Sequence, residues 1–523
     1  MTQHFQYGEE ILTPAAALEL AAGDRGGTLS GRAREAVERS RRQVERIVAS
    51  GEVVYGVTTG FGLLCDTVIS EEQTRLLQSN ILKSHSVGMG SPVPDEVSRL
   101  MLVLKLQALS YGRSGVDPAT LDRILQLLER GVAPVVPCQG SLGASGDLAP
   151  LAHLFLPLIG LGQVVLDGRQ MPASEALEQL GLQPLELGPK EGLALINGTQ
   201  FIVAWAVRAL TRMANLLDAA DLIGAMSLEA LLGSTRPFLR ELHELRPYRG
   251  SRLVARRLRL LLESSEILAS HQDCDRVQDP YSLRCMPQVH GASRNAWLHL
   301  KEMLMVEMNA VTDNPIILPD GESISGGNFH GQPMALPLDY AVVAASEIGN
   351  ISDRRTYQLL DGAARDLPRL LMQDVGINSG YMMPQYTSAA VASENKGLCF
   401  PASADSIPSS LGQEDHVSMG AISARKLDQV CGNVEKILAV ELTCAAQAFD
   451  FRRPLASGPV LEACHELVRR HIDHADRDRV FAHDLEAARQ LIAGGDLVAR
   501  SRQAAAAHGI DLDGDEAEAF ALA

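Results

Sequence analysis

Residues Gly140 to Pro150 read Gly-Ser-Leu-Gly-Ala-Ser-Gly-Asp-Leu-Ala-Pro, with Ala144-Ser145-Gly146 at their centre. That triplet can become an electrophile without any added cofactor. If the backbone bends hard here, the Gly146 nitrogen attacks the Ala144 carbonyl and closes a five-membered ring. Loss of two waters, one carrying the Ser145 hydroxyl, leaves an exocyclic methylidene, and the segment becomes a 4-methylidene-imidazol-5-one. Flanking glycines suit such a ring, because they accept backbone angles that other residues avoid and carry no side chain to clash. The competing reading of an isolated Ala-Ser-Gly is a Gly/Ser loop that opens a helix at Asp147. A serine hydrolase built on Ser145 fails on pattern: Gly143 lies two residues before it but Asp147 two after, so there is no Gly-x-Ser-x-Gly elbow.

The elements around this loop read as mostly helical. Residues 31–50 and 93–131 carry apolar residues at helical spacing, the second run broken around Gly112 to Pro118. Val53 to Gly62 is short, apolar and punctuated by glycine, more strand and loop than helix. Ser84-His85 reads as the start of a helix. Val164 to Pro172 predicts a hairpin around Asp167-Gly168. Beyond it, Phe201–Leu232, Val254–His271, Ala292–Val311, Asp339–Leu360 and Ala421–Phe449 are long periodic runs with broad apolar stripes. Such helices pack as an antiparallel bundle, with apolar face left over for subunit contacts. The expected architecture is mainly α, in two parts: an N-terminal lobe over residues 1–200 holding the Ala-Ser-Gly loop, and a helical bundle over residues 201–523. The links 272–291, 312–335 and 371–416 read as irregular and are rich in Gly, Asn, Gln and His, which suits functional loops better than simple connectors.

The 523 residues are 46% hydrophobic and carry a net charge of −17, so the core is large and nucleic acid and anionic membrane surfaces are poor partners. Neither apolar stretch, Ala149–Leu166 or Phe201–Gly233, is a credible membrane span, since each is interrupted by proline, glycine or charge. The opening residues lack a basic segment followed by an apolar one, so no signal peptide is expected. Eight cysteines without a Cys-x-x-Cys pair suit free thiols in a reducing cytoplasm. His465, His471, His474 and His483 near Cys464 fit no zinc spacing and read as structural or surface histidines on a polar helix with Arg469, Arg470, Arg477 and Arg479. The segment Asp511-Leu-Asp-Gly-Asp-Glu mimics a calcium loop, but its glycine comes too early, and it reads as a solvated acidic terminus. No metal is expected, and the lysines stand in no pyridoxal-type context.

The string Gly-Ser-Leu-Gly-Ala-Ser-Gly-Asp-Leu-Ala-Pro-Leu-Ala-His resembles the self-cyclising segment of the aromatic amino acid ammonia-lyases, and five further segments extend the resemblance over nearly the whole chain. They are Tyr55-Gly-Val-Thr-Thr-Gly-Phe-Gly62, Asn197 in Glu191 to Gln200, Gln278-Asp-Pro-Tyr-Ser-Leu-Arg284, Asn314 with Gly326-Gly-Asn-Phe-His-Gly331, and Gln413-Glu-Asp-His-Val-Ser-Met419. The resemblance implies a fumarase/aspartase-like helical architecture and a homotetramer whose active sites draw on three subunits. It also implies the methylidene-imidazolone, formed from Ala144, Ser145 and Gly146, as sole cofactor. It makes Tyr55 the favoured base for the β-proton and assigns Arg284 to the substrate carboxylate, which a guanidinium grips with two parallel hydrogen bonds. Tyr281, Asn197 and Gln278 are placed around the electrophile and the amino-acid end of the substrate, and Phe329 supports the ring. Glu414, beside Gln413, points inward. A glycine-rich phosphate loop at Gly326–Gly331 is the weaker rival, lacking a following Gly-Lys-Ser/Thr. The Ser-Ser-x-Met-Pro-x-Lys-x-Asn loop of fumarase-type lyases is not found.

Substrate preference rests on Ser84-His85, which resembles the Ser-His pair of histidine-specific members rather than the His-Leu or Phe-Leu of tyrosine and phenylalanine enzymes. A carboxylate such as Glu414 suits a substrate imidazole with N–H donors, whereas a phenyl ring would leave that carboxylate buried and unpaired. The implied reaction is elimination of ammonia from histidine to give urocanate. Three positions depart from the histidine pattern: Thr58 stands where Asn is usual, and Met286 and Gly412 replace Gln and Asn. They leave tyrosine or phenylalanine as alternative substrates, and the sequence leaves open an aminomutase that returns the ammonia to the β-carbon.

Overall fold

The computed structural model describes residues 4–60, 69, 71–271, 277–361 and 366–522. The end of the Tyr55 segment (Phe61 and Gly62), Cys65 and Cys274 lie outside them.

The chain is mainly α. The N-terminal part carries helices α1 (Pro14–Ala22), α2 (Gly31–Ser50), α3 (Glu71–His85), α4 (Asp95–Ser110), α5 (Pro118–Glu129), α6 (Leu148–Phe155), α7 (Ala173–Gln179) and α8 (Glu191–Ile196). Short strands stitch them together. β1 (Phe5–Tyr7) pairs in parallel with β2 (Gly27–Leu29), and β3 (Met89–Pro92) lies antiparallel to β5 (Pro137–Gln139). β4 (Ala133–Pro134), β6 (Gln163–Leu166) and β7 (Arg169–Pro172) form a three-stranded sheet. The β6–β7 hairpin turns at Asp167-Gly168, both with positive φ (51° and 73°), as a two-residue turn of that hand requires.

Long helices follow: α9 (Gln200–Ala230), then α10 (Arg240–Glu244), α11 (Arg249–Leu261), α12 (Glu266–Ala269), α13 (Tyr281–Arg284) and α14 (Met286–Met308). After the ribbon of β8 (Ile316–Ile317) and β9 (Ser323–Ile324) come α15 (Gln332–Asp361), α16 (Met382–Leu398), α17 (Gly420–Asp450), α18 (Pro459–Arg469), α19 (Phe481–Ala493) and α20 (Asp496–Ala507). Helices α9, α14, α15 and α17 pack on one another. From Ile437 to Phe449 every residue of α17 is buried at the centre of the bundle; most are apolar or small, and the polar Glu441 and Gln447 are paired with Arg355 and with the Ala475 backbone. One continuous apolar core runs from Phe5 to Ala505. Among the described residues no helix is long and apolar enough to cross a membrane.

Several expectations need correction. Ser84-His85 ends a helix, α3, instead of starting one; this helix is polar enough to show little apolar periodicity. Residues 371–416 are not irregular throughout, since they contain α16, which buries only Pro384, Ser388 and Asn395 and so lacks an apolar stripe. The run 254–271 divides into α11 and α12. The histidine cluster does not share one polar helix: α18 ends at Arg469, and His465 and His474 converge from helix and loop on Asp450, at 2.8 and 2.6 Å. Nor is the acidic terminus simply solvated. Glu516 binds Arg249 and Arg252, Asp513 binds Arg257, and Phe520 stacks on Trp297 with ring centroids 6.0 Å apart.

Candidate active site

The Ala144-Ser145-Gly146 triplet lies in a sharp reversal. Gly143 and Gly146 bridge each other, with φ of +85° and +81°, and Ser145 between them is also left-handed at +53°. A non-glycine residue in that region costs roughly 1–2 kcal/mol, so the surroundings must hold it there. Two walls do so. On one side Met419 N donates to Leu142 O at 3.1 Å, and a Cβ on Gly143 would lie 2.2 Å from Ser418 Oγ. On the other, Asn197 Nδ2 donates to Ser145 O and Asp147 N to Gly198 O, both at 2.7 Å, and a Cβ on Gly146 would lie 2.2 Å from Gly198 O. Both glycines are therefore fixed by close approach as well as by backbone angle.

The exit from the loop is anchored by Asp147. Its backbone leads into α6, while its carboxylate accepts from Ile202 N at 3.0 Å in the first turn of α9 and from Ser141 Oγ at 3.1 Å. An acceptor at a helix start satisfies amides that have no partner inside the helix. Burial pushes the Asp147 carboxyl up to about 7 against these hydrogen bonds.

Glu414 faces the triplet from the segment before α17. Its Oε1 accepts from Ser145 Oγ at 3.0 Å, and its Oε2 from Ser409 Oγ and Ser410 Oγ at 3.0 and 2.7 Å. His85, at the end of α3, holds Ser84 Oγ within 3.0 Å of its Nδ1. Burial lowers the His85 pKa, opposed by a hydrogen bond to the Ile81 backbone and by the negative charge of Glu414. A cleft of about 780 Å³ joins these groups. Its walls include Tyr55, Ser84, His85, Ala144, Ser145, Asn197, Asn314, Phe329, Gln413 and Glu414. Gly146 sits behind, against Gly198.

Three expected residues are not part of this cleft. Gln278 is exposed, Tyr281 is 71% exposed, and Arg284 turns its guanidinium over the Tyr281 ring, 4.5 Å from the centroid. Among the described residues the buried Nε of Arg284 has no hydrogen-bond partner.

Other groups in the cleft were not singled out from the sequence. Leu193 and Ile196 on α8 and Leu77 and Ile81 on α3 give it an apolar wall. His330 and His416 lie in parallel with centroids 5.9 Å apart. Nδ1 of His330 accepts from Gln332 N at 3.3 Å, and its Nε2 lies 3.2 Å from His416 O. Both histidines fall inside quoted motifs, and Ser409-Ser410 stand just before one, separated by Leu411-Gly412, so proximity to Phe329 and Glu414 was the available signal. Asn314 has a supporting part: it accepts from Gly326 N at 2.7 Å and donates to Ser325 Oγ at 3.0 Å, holding the segment before Phe329.

A helical bundle that bends an Ala-Ser-Gly loop against a carboxylate in a cleft has the architecture of a carbon–nitrogen lyase of the fumarase/aspartase-like class. Residues 12–470 match the aromatic amino acid lyase family, and the chain belongs to that family. It is 50% identical over 496 residues to a histidine ammonia-lyase of Sorangium cellulosum, covering 93% of this chain and 96% of that one. Among solved structures it resembles the histidine ammonia-lyase of Trypanosoma cruzi, with a TM-score of 0.90 and 38% identity over 99% of this chain and 97% of that one. It also resembles the tyrosine aminomutase of Streptomyces globisporus, with a TM-score of 0.91 and 34% identity over 96% and 99% of the two chains.

Proposed function

We propose that this enzyme eliminates ammonia from L-histidine to give trans-urocanate, using an electrophile that Ala144, Ser145 and Gly146 form from themselves. The observation that carries the reading is the shared cleft: Ser84-His85 and Glu414, polar groups suited to an imidazole, open onto the same space as the bent triplet. The cradle fits the ring, since Gly143 and Gly146 have no room for a side chain and the Ser145 carbonyl is already held by Asn197.

Once formed by Ala144, Ser145 and Gly146, the methylidene-imidazolone would supply an electrophile for the substrate amine, which would make ammonia a better leaving group. The rest of the chemistry belongs to side chains. Tyr55, at the cleft wall, removes the β-proton. Loss of the Ser145 hydroxyl on ring closure frees Glu414 Oε1, which then accepts from an imidazole N–H, while Ser409 and Ser410 hold the other carboxylate oxygen. His85, neutral because it is buried, offers one ring nitrogen to the substrate's ring. Asn197 supports the electrophile, and Phe329 and the apolar residues of α3 and α8 exclude water and strengthen each polar contact.

The substrate carboxylate needs a cation, and the cleft of one chain does not contain Arg284. We assign that role to the Gln278–Arg284 segment of another copy, with Tyr281 and Gln278 beside it. We propose a homotetramer with shared sites, which is supported by the exposed apolar stripe that Leu336, Tyr340, Val343 and Tyr357 leave on α15 for such contacts. Residues 1–200 act as the lobe that presents the loop, and residues 201–523 as the bundle. The free thiols of Cys138, Cys285, Cys399, Cys431, Cys444 and Cys464 suit a reducing cytoplasm.

The test is incubation of the pure protein with histidine, tyrosine and phenylalanine in separate reactions, followed by ultraviolet spectra and amino acid analysis. Urocanate and ammonia should appear from histidine fastest. Faster turnover of tyrosine or phenylalanine, or a β-amino acid as the main product, refutes the assignment.

A further inference from the structure

The Lys105 side chain lies deep in the fold behind the reactive loop. It stands on α4 in a run, Leu100 to Ser110, in which every residue is buried, and it is itself 1% exposed. Placing a cation there is costly unless its charge is compensated. A second buried lysine shows the usual compensation: Lys190 Nζ meets Asp313 Oδ2 and Ser114 O, both at 2.8 Å. Lys105 forms no ion pair among the described residues. Its Nζ donates to the backbone carbonyl of Asn197 at 2.6 Å and more weakly to Gln200 Oε1 at 3.4 Å. Burial brings the ammonium down to about 7, against the attraction of Asp313.

The carbonyl it binds belongs to the peptide that cradles the triplet. Asn197 donates through its side chain to Ser145 O, Gly198 O accepts from Asp147 N, and Gly198 bridges Gly146. The Asn197–Gly198 peptide therefore touches the loop on its near side and Lys105 on its far side. At 2.6 Å and shielded from water, this contact anchors the peptide from behind.

We propose that Lys105 is a positioning residue for ring closure, locking the Asn197–Gly198 peptide so that the loop brings Gly146 N to the Ala144 carbonyl carbon. The proposal rests on the self-cyclising reading of the triplet. In the closure, a bond forms from Gly146 N to Ala144 C. The Ala144 oxygen leaves as one water with the amide protons of Gly146 and Ser145, and the Ser145 hydroxyl leaves as the second with its Cα proton. Lys105 gives and takes no atom; it fixes geometry, to which ring closures are steeply sensitive.

The experiment follows intact mass with time in freshly synthesised full-length protein. Lys105→Met, folded by circular dichroism, should lose the two waters about tenfold more slowly or worse, and Lys105→Arg should recover part of the rate. Should Lys105→Met not fold, Gln200→Leu removes only the weaker acceptor and should slow water loss by a few-fold. Water loss at the unmodified rate in folded Lys105→Met, or in Gln200→Leu in its stead, overturns the role. An unmodified chain that keeps both waters overturns the cyclisation reading instead, which separates the two failures.

Discussion

Two regions that the reaction needs are held very differently. The reactive loop is gripped by Asn197, Gly198, Ser418 and Glu414, so that both flanking glycines are fixed by contact. The Gln278–Arg284 segment is held by its buried residues Asp279, Ser282 and Leu283 but turns Gln278 and Tyr281 outward, Tyr281 being 71% exposed, and the Arg284 guanidinium lies over the Tyr281 ring. Autocatalytic chemistry on a backbone demands a geometry set by the chain itself, because strained angles persist only where the surroundings overdetermine them. Recognition of a substrate carboxylate makes no such demand and can be completed by a neighbouring copy. On the proposed reading, folding of one chain prepares the electrophile and assembly supplies the grip.

The largest effect expected is from Ser145→Ala. Without a side-chain hydroxyl the second water cannot leave, so turnover should fall by about three orders of magnitude or more, equivalent to at least ~4 kcal/mol of barrier. Circular dichroism should show the fold intact, since Ser145 contributes one hydrogen bond to Glu414. Ordinary turnover at full encoded mass would end the electrophile reading.

Next comes Arg284→Met, which leaves the loop untouched but removes the carboxylate grip, and should cost roughly 10- to 100-fold in kcat/KM, in line with charged hydrogen bonds of ~1.5–3 kcal/mol. Co-expressing it with Ser145→Ala sharpens the comparison. If the two regions meet across subunits, mixed assemblies exceed the turnover that their Arg284→Met copies give alone, because some sites then combine an intact loop with an intact Arg284. No recovery would place both groups in one chain's site.

Much of this was legible in the sequence. The long helices α9, α14, α15 and α17 and the turn at Asp167-Gly168 follow from apolar periodicity and local turn chemistry, which need no tertiary information. The residues that line the cleft stand in dense, short motifs, so Tyr55, His85, Asn197, Phe329 and Glu414 could be named before their proximity was known. What escaped was set by packing between distant segments. Helix α16 buries too few apolar residues to show a stripe, and α3 is polar enough that His85 appeared to stand at a helix start. Lys105 gave no local signal, because its partner is a backbone carbonyl 92 residues away. The acidic terminus looked solvated because its arginine partners on α11 lie more than 250 residues earlier in the chain.

A smaller and more specific effect is expected at the ring end of the cleft. His85→Leu or Glu414→Gln should reduce histidine kcat/KM by about 10- to 100-fold, as loss of a built polar contact does, and His85→Leu should improve the relative acceptance of aromatic substrates. The pH dependence has a definite sign. Burial lowers the His85 pKa, so protonation and the accompanying loss of activity should come below the ordinary histidine value of about 6.5. The same shift means that its contribution to stability is present above that value and is lost as pH falls through the folded pKa. Because the charge of Glu414 raises the His85 pKa, Glu414→Gln should lower it further, read by NMR titration of the labelled imidazole. A rise in that variant would contradict the arrangement.

The smallest effect serves as the control for both regions. Phe520 lies near the end of the chain, stacked on Trp297 with Arg294 5.9 Å from its centroid, while Lys301 bonds the neighbouring Ala521 carbonyl. It is only partly buried, so Phe520→Ala should cost about 1–2 kcal/mol, less than truncation of a fully buried ring. The midpoint of denaturant unfolding should fall while the slope with denaturant stays the same, as for a change in stability alone. Among the described residues its ring contacts are with Trp297 and Arg294, away from the reactive loop and the Gln278–Arg284 segment, so kcat, KM and the two-water mass deficit should match those of the unmodified protein. If this remote truncation lowered turnover or slowed water loss, general destabilisation would suffice to explain weaker variants. Ser145 and Arg284 could then no longer be assigned separate parts from activity alone.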